Sequence, residues 1–239
     1  MRKYLPYLLV VSFLAESALA APLVVNYPNR KEAIGVQSEI SVSGETFIWA
    51  LNEAGAIRYK FEPTSNTLQV QETYDPGDGL VDARVNAVVV DDNCSLFTRS
   101  NSGAWGCRIF ATPDGLSMYV QSHQTWQNYR YQDDNSIPPG NVTTLKWLTN
   151  DITDDNGNVS SLNQLLVGTR RNGMASCSAN SFPQQTSTQD AYFNESGIAT
   201  QLICNQYNTT ISPSIVDFPD DSINDFELDS YGRLWVATG

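Results

Sequence analysis

A motif that recurs along the chain constrains its fold more than any other feature. The last copy closes the sequence. Ile223-Asn224-Asp225-Phe226-Glu227-Leu228 reads as a short strand, Asp229-Ser230-Tyr231-Gly232 as a tight turn, and Leu234-Trp235-Val236-Ala237-Thr238 as a second strand. Comparable stretches run from Ile48 to Tyr59, from Leu96 to Trp105 and from Leu165 to Ala175. Each complete copy has an apolar run, a polar turn containing glycine and the start of a return run, which is a hairpin signal. The anchors at 48, 96, 165 and 234 lie 48, 69 and 69 residues apart. The first spacing suits one four-stranded propeller blade of roughly 40–50 residues. The longer spacings place extra residues in the acidic turn from Asp151 to Ser161 and around 107–125 and 176–205, in turns where a blade tolerates insertion.

A further apolar segment precedes each later anchor: Val85 to Asp91, Val142 to Leu148, and the run opened by Ile223. In the first of these, Val85, Ala87 and Val89 point one way and Asn86, Val88 and Val90 the other. Both faces are apolar, so the strand is covered on both sides, as in stacked blades or a sandwich core. The recurring hairpins favour blades. Abundant Gly, Pro, Asn, Asp, Ser and Thr, without strong helix-forming runs, fit the same all-β class. Four anchors make three blades and the beginning of another, fewer than the ~4–8 of closed propellers. The expectation is a fragment or truncated gene, with ring closure through residues 22–47 as the alternative.

The chain starts like an exported protein. Arg2 and Lys3 precede an apolar run from Leu5 to Ala15, and Ala18-Leu19-Ala20 offers small residues for cleavage. This pattern reads as a signal peptide over residues 1–20, leaving a propeller domain over 21–239. The run is too short to span a bilayer, and no later segment is apolar enough, so no membrane span is expected after cleavage. Cleavage removes two cations and one carboxylate, leaving the mature chain one unit more acidic than the −12 of the whole. Such a surface disfavours nucleic acid and anionic membrane as partners. Four cysteines in an exported chain point to two disulfides. If Leu96 and Trp105 flank a hairpin turn near Asn101-Ser102, Cys94 and Cys107 approach across it. Cys177 and Cys204 then staple the long segment after the third hairpin.

Gly55-Ala56-Ile57-Arg58-Tyr59-Lys60-Phe61, then Glu72-Thr73-Tyr74, then Gly79-Leu80 and Val85-Asn86-Ala87-Val88 resemble the two-component-regulator propeller repeat. Trp126-Gln127-Asn128-Tyr129-Arg130-Tyr131, with Ser136-Ile137-Pro138 and Asn141-Val142-Thr143, is similar again. Val167-Gly168-Thr169 and Trp235-Val236-Ala237-Thr238-Gly239 carry the repeat's ending. The second copy departs at Cys94 and Phe97, and the third lacks the Trp. The resemblance implies the extracytoplasmic sensing part of a signalling protein, periplasmic or secreted. It implies recognition of a small molecule, glycan or protein without catalysis and without a cofactor, at the mouth of the ring where loops converge. Two other readings remain open: an exported propeller enzyme, lyase or glycosidase, and a secreted propeller similar to the yellow/royal-jelly family, suggested by Gly232-Arg233-Leu234-Trp235-Val236.

Among residues able to carry chemistry, His123 is the only histidine and reads as an ordinary polar residue. One His and four paired Cys leave too few ligands for zinc. Asp151, Asp154, Asp155, Asn156 and Asn158 lack calcium-loop spacing and read as a solvated turn. Asp229 reads as a turn former, and Asp217, Asp220, Asp221, Asp225 and Glu227 as a solvated face. Sequons at Asn93, Asn141, Asn158, Asn194 and Asn208 mark surface loops if the chain passes through a glycosylating pathway. Trp49 and Trp235, equivalent in the repeat, are expected in blade-to-blade packing. Trp105 and Trp126 lie off the anchor strand and are the candidate ligand contacts. A pocket uniting carboxylates with Trp105 or Trp126 would favour the enzyme.

Overall fold

The computed structural model describes residues 10–11, 23–24, 33–41, 43–92, 94, 106–134, 137–153, 159–178, 202–210, 219–229 and 233–239. Two-residue strands β1 (Val10–Val11) and β2 (Leu23–Val24) pair near the start. A first sheet then runs through β3 (Ala33–Ile40), β4 (Thr46–Asn52), β5 (Gly55–Glu62) and β6 (Thr67–Tyr74). A second holds β7 (Ala87–Asp91), β8 (Cys107–Thr112), β9 (Gly115–Val120) and β10 (Thr125–Tyr129). A helical turn, α1 (Tyr131–Asp134), leads to the third sheet of β11 (Val142–Thr153), β12 (Val159–Thr169), β13 (Met174–Ser178) and β14 (Ile203–Tyr207). The fourth sheet contains β15 (Ile223–Leu228) and β16 (Leu234–Thr238). In every sheet the strands follow one another in chain order, each antiparallel to the last.

These sheets are the blades of a β-propeller. The first strands of successive sheets, β3, β7, β11 and β15, lie against one another and so form the inner edge. Side chains stitch that edge together. Gln37 Oε1 accepts from the Val88 amide, Asn86 Nδ2 donates to the Val142 carbonyl, and Thr143 Oγ1 donates to the Ile223 carbonyl. The last strands, β6, β10 and β14, form the outer edge.

Period-2 alternation explains the stacking. On the second sheet Ala87, Ile109, Ala111, Leu116, Met118 and Val120 face the third sheet, where Val142, Leu145, Leu165, Val167 and Ala175 meet them. Val88 and Phe110 face the first sheet and meet Trp49, Leu51, Ala56 and Tyr74. A third core layer joins Leu166 and Met174 to Ile223 and Phe226. Both faces of the middle sheets are therefore dry, as the apolar parity of residues 85–90 requires. The outer face of the first sheet keeps Ala50, Ile57 and Tyr59 buried with Leu68, while Ile40 and Val70 are exposed.

The expected repeat register holds at Ile48, Leu165 and Leu234 and shifts in the second sheet. Its central hairpin is β8–β9, with Thr112 paired to Gly115 as Asn52 is to Gly55. The hairpin expected from Leu96 to Trp105 lies wholly outside the described residues. Residues 107–125, expected as an insertion, are the blade's own strands. The reason is burial: β8 has six buried residues in succession and fills two core layers at once.

Cys94 is bonded to Cys107, with Cα atoms 5.2 Å apart, and this bridge ties the β7–β8 connection where Asp91 pairs with Cys107. Cys177 is bonded to Cys204, 4.1 Å apart at Cα, directly across β13 and β14. The expected pairing is present, but Cys107 opens β8 instead of following a return strand.

Candidate functional site

A cleft of about 410 Å³ opens between the outer parts of the first and second sheets. Its walls are Glu72, Thr73 and Tyr74 at the end of β6, Asp78 in the following turn, Tyr119 on β9, Gln121 and Gln124 in the β9–β10 turn, and Trp126 on β10. Chain register assembles it. Trp126 pairs with Tyr119, and Tyr119 with Arg108, so all three project from the same face toward the first sheet. Arg58 pairs with Glu72 on the facing sheet.

Aromatic rings form the apolar side of the cleft. Trp126 lies 5.1 Å from Tyr119, 5.8 Å from Tyr74 and 5.8 Å from Phe110 between ring centroids. Tyr74 stacks in turn on Trp49 at 5.9 Å. Trp49, Tyr74 and Phe110 are buried, while Tyr119 and Trp126 are half-buried and border the opening. Gly79 supports Trp126 from behind. A Cβ there would sit 2.5 Å from the indole Cδ1, and its φ of +132° is a conformation that favours glycine. Asn128 Nδ2 also donates to the Gly79 carbonyl at 3.1 Å, holding this turn against β10.

Beneath the cleft runs a chain of alternating charges. Glu39 accepts from Trp49 Nε1 at 2.7 Å and from both Nε and a terminal nitrogen of Arg58, whose guanidinium lies over the Phe47 ring at 3.5 Å. Glu72 Oε1 accepts from Arg108 at 3.0 Å and lies 3.7 Å from Arg58. Arg108 is 4% exposed and also donates to Gln121 Oε1 at 3.2 Å, leaving its Nε unpaired. Glu72 Oε2 accepts from the Tyr74 hydroxyl at 2.7 Å. Burial pushes that hydroxyl well above the ordinary phenol range; the Arg108 charge opposes the shift, and the bond to Glu72 adds to it. Asp78 is exposed, and its carboxylate caps the Asp75 amide at 3.1 Å.

The two aromatic ligand contacts expected from sequence fare differently. Trp126 lines the cleft, whereas Trp105 lies outside the described residues. Of the repeat-equivalent pair, Trp49 is buried against the second sheet as expected. Trp235 is 61% exposed, donates to Asp229 Oδ2 at 3.1 Å and lies near Arg233. β16 packs Leu234 and Val236 against the third sheet, so the alternate residue Trp235 lies on the opposite face of the strand. His123 is exposed in the β9–β10 turn, part of the blade itself. The C-terminal acidic residues serve the framework. Asp221 accepts from Thr209, Asp225 from Thr144, Glu227 from Lys146 and Asp229 from Arg233. Asp217 and residues 154–158 lie outside the described residues. Sequence reasoning missed Glu72, Tyr119, Gln121 and Gln124. For Tyr119 the only signal was parity, since it alternates with Met118 and Val120, which face the third sheet; Gln121 and Gln124 lie in a turn and Glu72 on the first sheet, where nothing local marks them.

No helix among the described residues is long and apolar enough to cross a membrane. With a meander of four-stranded sheets and dry faces between them, this molecule is a β-propeller. Residues 217–239 match the model of the two component regulator propeller family. Among solved structures, it is similar to the extracellular domain of a protein described as the hybrid two component system BT3049 from B. thetaiotaomicron. That match is 14% identical, with a TM-score of 0.47, over 90% of this chain and 24% of that one. The extracellular domain of BT4673, described as a one component system from the same organism, is 15% identical with a TM-score of 0.39, over 84% of this chain and 20% of that one. This chain thus spans a quarter or less of either. No curated protein matches it.

Proposed function

We propose that this chain is the recognition part of an extracytoplasmic sensor propeller, holding a small molecule between its first two blades without chemical conversion. The observation that carries the reading is the convergence of half-buried Trp126 and Tyr119 with Glu72, Asp78, Gln121 and Gln124 around one open cleft. Apolar ring faces combined with a few polar groups are the general make-up of a small-molecule site. The two disulfides favour an oxidising compartment, and the family match favours a sensing role. The cleft that supports this reading lies between the outer parts of the first two blades.

The enzyme reading stays as the second, because two carboxylates do share the cleft with Trp126. Glu72 is the weaker support for it, since Arg108 and Tyr74 hold both its oxygens in a framework role. Asp78, with one oxygen bonded to the Asp75 amide, is the carboxylate better placed to act on a ligand.

The test is tryptophan fluorescence of residues 21–239, titrated with a panel of small saccharides, amines and organic acids, alongside Trp126→Phe. At least one compound should shift the emission of the parent protein, with the response lost or reduced at least tenfold in the variant. Responses equal in both would overturn the cleft as the site. Conversion of the bound compound to product, lost in Asp78→Asn, would establish the enzyme instead.

A further inference from the structure

The charge and ring arrangement of the cleft narrows its ligand. We propose that it takes a small organic ammonium, with the cationic group against Trp126 and Tyr119 and beside Asp78; this rests on the cleft being the ligand site. The lining includes two carboxylates and neither Lys nor Arg. Arg108 compensates Glu72 from below, but at 4% exposure it is covered by the residues it binds and offers no counter-charge to a ligand. Among the described residues no ion pair joins Asp78 to a cation, and its exposed carboxylate, bonded through one oxygen to the Asp75 amide, lines the cleft. An incoming anion therefore meets repulsion, and the surrounding chain, at −12 overall, adds to it.

The rings supply the other half of the argument. The negative face of an aromatic ring attracts a cation, most strongly for Trp and then Tyr. Trp126 and Tyr119 sit 5.1 Å apart with their planes inclined at 45°, forming a corner and not a flat stack. A corner suits a compact, round group such as a substituted ammonium, which can touch both rings at once. Desolvation of a quaternary ammonium is also easier than that of a carboxylate competing for the same space.

The experiment is calorimetric titration with three molecules of one shape: choline, its neutral carbon isostere 3,3-dimethylbutan-1-ol, and the anion 3,3-dimethylbutanoate. Choline should bind at least tenfold more tightly than the alcohol, and the anion should bind most weakly. Asp78→Asn should weaken choline about three- to tenfold while leaving the alcohol unchanged, and added salt should weaken choline alone. The conservative change keeps an acceptor for the Asp75 amide, so the turn stays folded. Equal binding of choline and the alcohol would overturn the ammonium while leaving the cleft as a site. Absence of choline binding, with a neutral saccharide or an acid from the wider panel binding in a Trp126-dependent way, would overturn it too. If nothing in either set binds in that way, the ammonium and the cleft site fall together.

Discussion

Tyr74 shows how much one residue does at the blade interface. It closes β6, stacks on Trp49, borders Trp126 and donates to Glu72. Its hydroxyl holds its proton more tightly in the folded chain than in the unfolded one. The sign follows: this contribution is fully present below the unfolded phenol value near pH ~10 and is lost as pH rises beyond it. At neutral pH, Tyr74→Phe should lose about 1 kcal/mol through the missing hydrogen bond. The gap in melting temperature between parent and variant should stay constant up to about pH 10 and narrow from about pH 10 to 11. A gap that stays constant over that range would show that the hydroxyl's burial does not couple to folding. Trp126 was legible from sequence because it stood off the repeat anchor. Glu72 was noticed only as part of a family-like stretch, because nothing local announces that Arg108 will lie beside it.

At the scale of elements, one position recurs. Gly55, Gly115 and Gly173 each begin or precede the third strand of a sheet, with φ of +134°, +125° and +74°. A Cβ at each would overlap the carbonyl oxygen of the tyrosine ending the fourth strand, Tyr74, Tyr129 and Tyr207 respectively. The hairpin glycine thus lets the outer strand close against it, which explains why turn glycines marked the repeat in the sequence. Gly115→Ala should cost more than about 2 kcal/mol, because strain at positive φ adds to a backbone clash. Gly44→Ala, at φ +78° with open space around it, should cost about 1 kcal/mol. Urea denaturation of both variants checks this, and equal losses would remove the clash from the explanation. The misplaced second repeat has an element-level cause too. Leu96-Phe97 with Ser102-Gly103 imitates the anchor pattern, whereas the strand that pairs with β7 is the one buried on both faces.

Across the whole molecule, stability comes from the layers between sheets. Phe110 is fully buried, lies on the second sheet and packs against Trp49 and Tyr74 of the first. Phe110→Ala should lower unfolding stability by about 3–5 kcal/mol, as expected for deleting a large ring from a dense core. Because the same layer supports Trp126, the variant should also weaken any ligand held in the cleft. A loss below about 1 kcal/mol in chemical denaturation would mean that the two sheets do not share a core.

The sequence by itself determined the strand class, the recurring hairpins of the first, third and fourth sheets, and the disulfide partners. These depend on local alternation, turn chemistry and short separations along the chain, all of which can be read position by position. Val88 and Val89 already implied cover on both faces, and Cys94 and Cys107 are only 13 residues apart. Tertiary structure alone decided the site. Glu72, Tyr119 and Trp126 come from different sheets and strands, and sheet-on-sheet packing brings them to one cleft. Parity sets which way each side chain points, but the facing sheet, with Arg108 beneath Glu72 and Gly79 behind Trp126, determines what it meets.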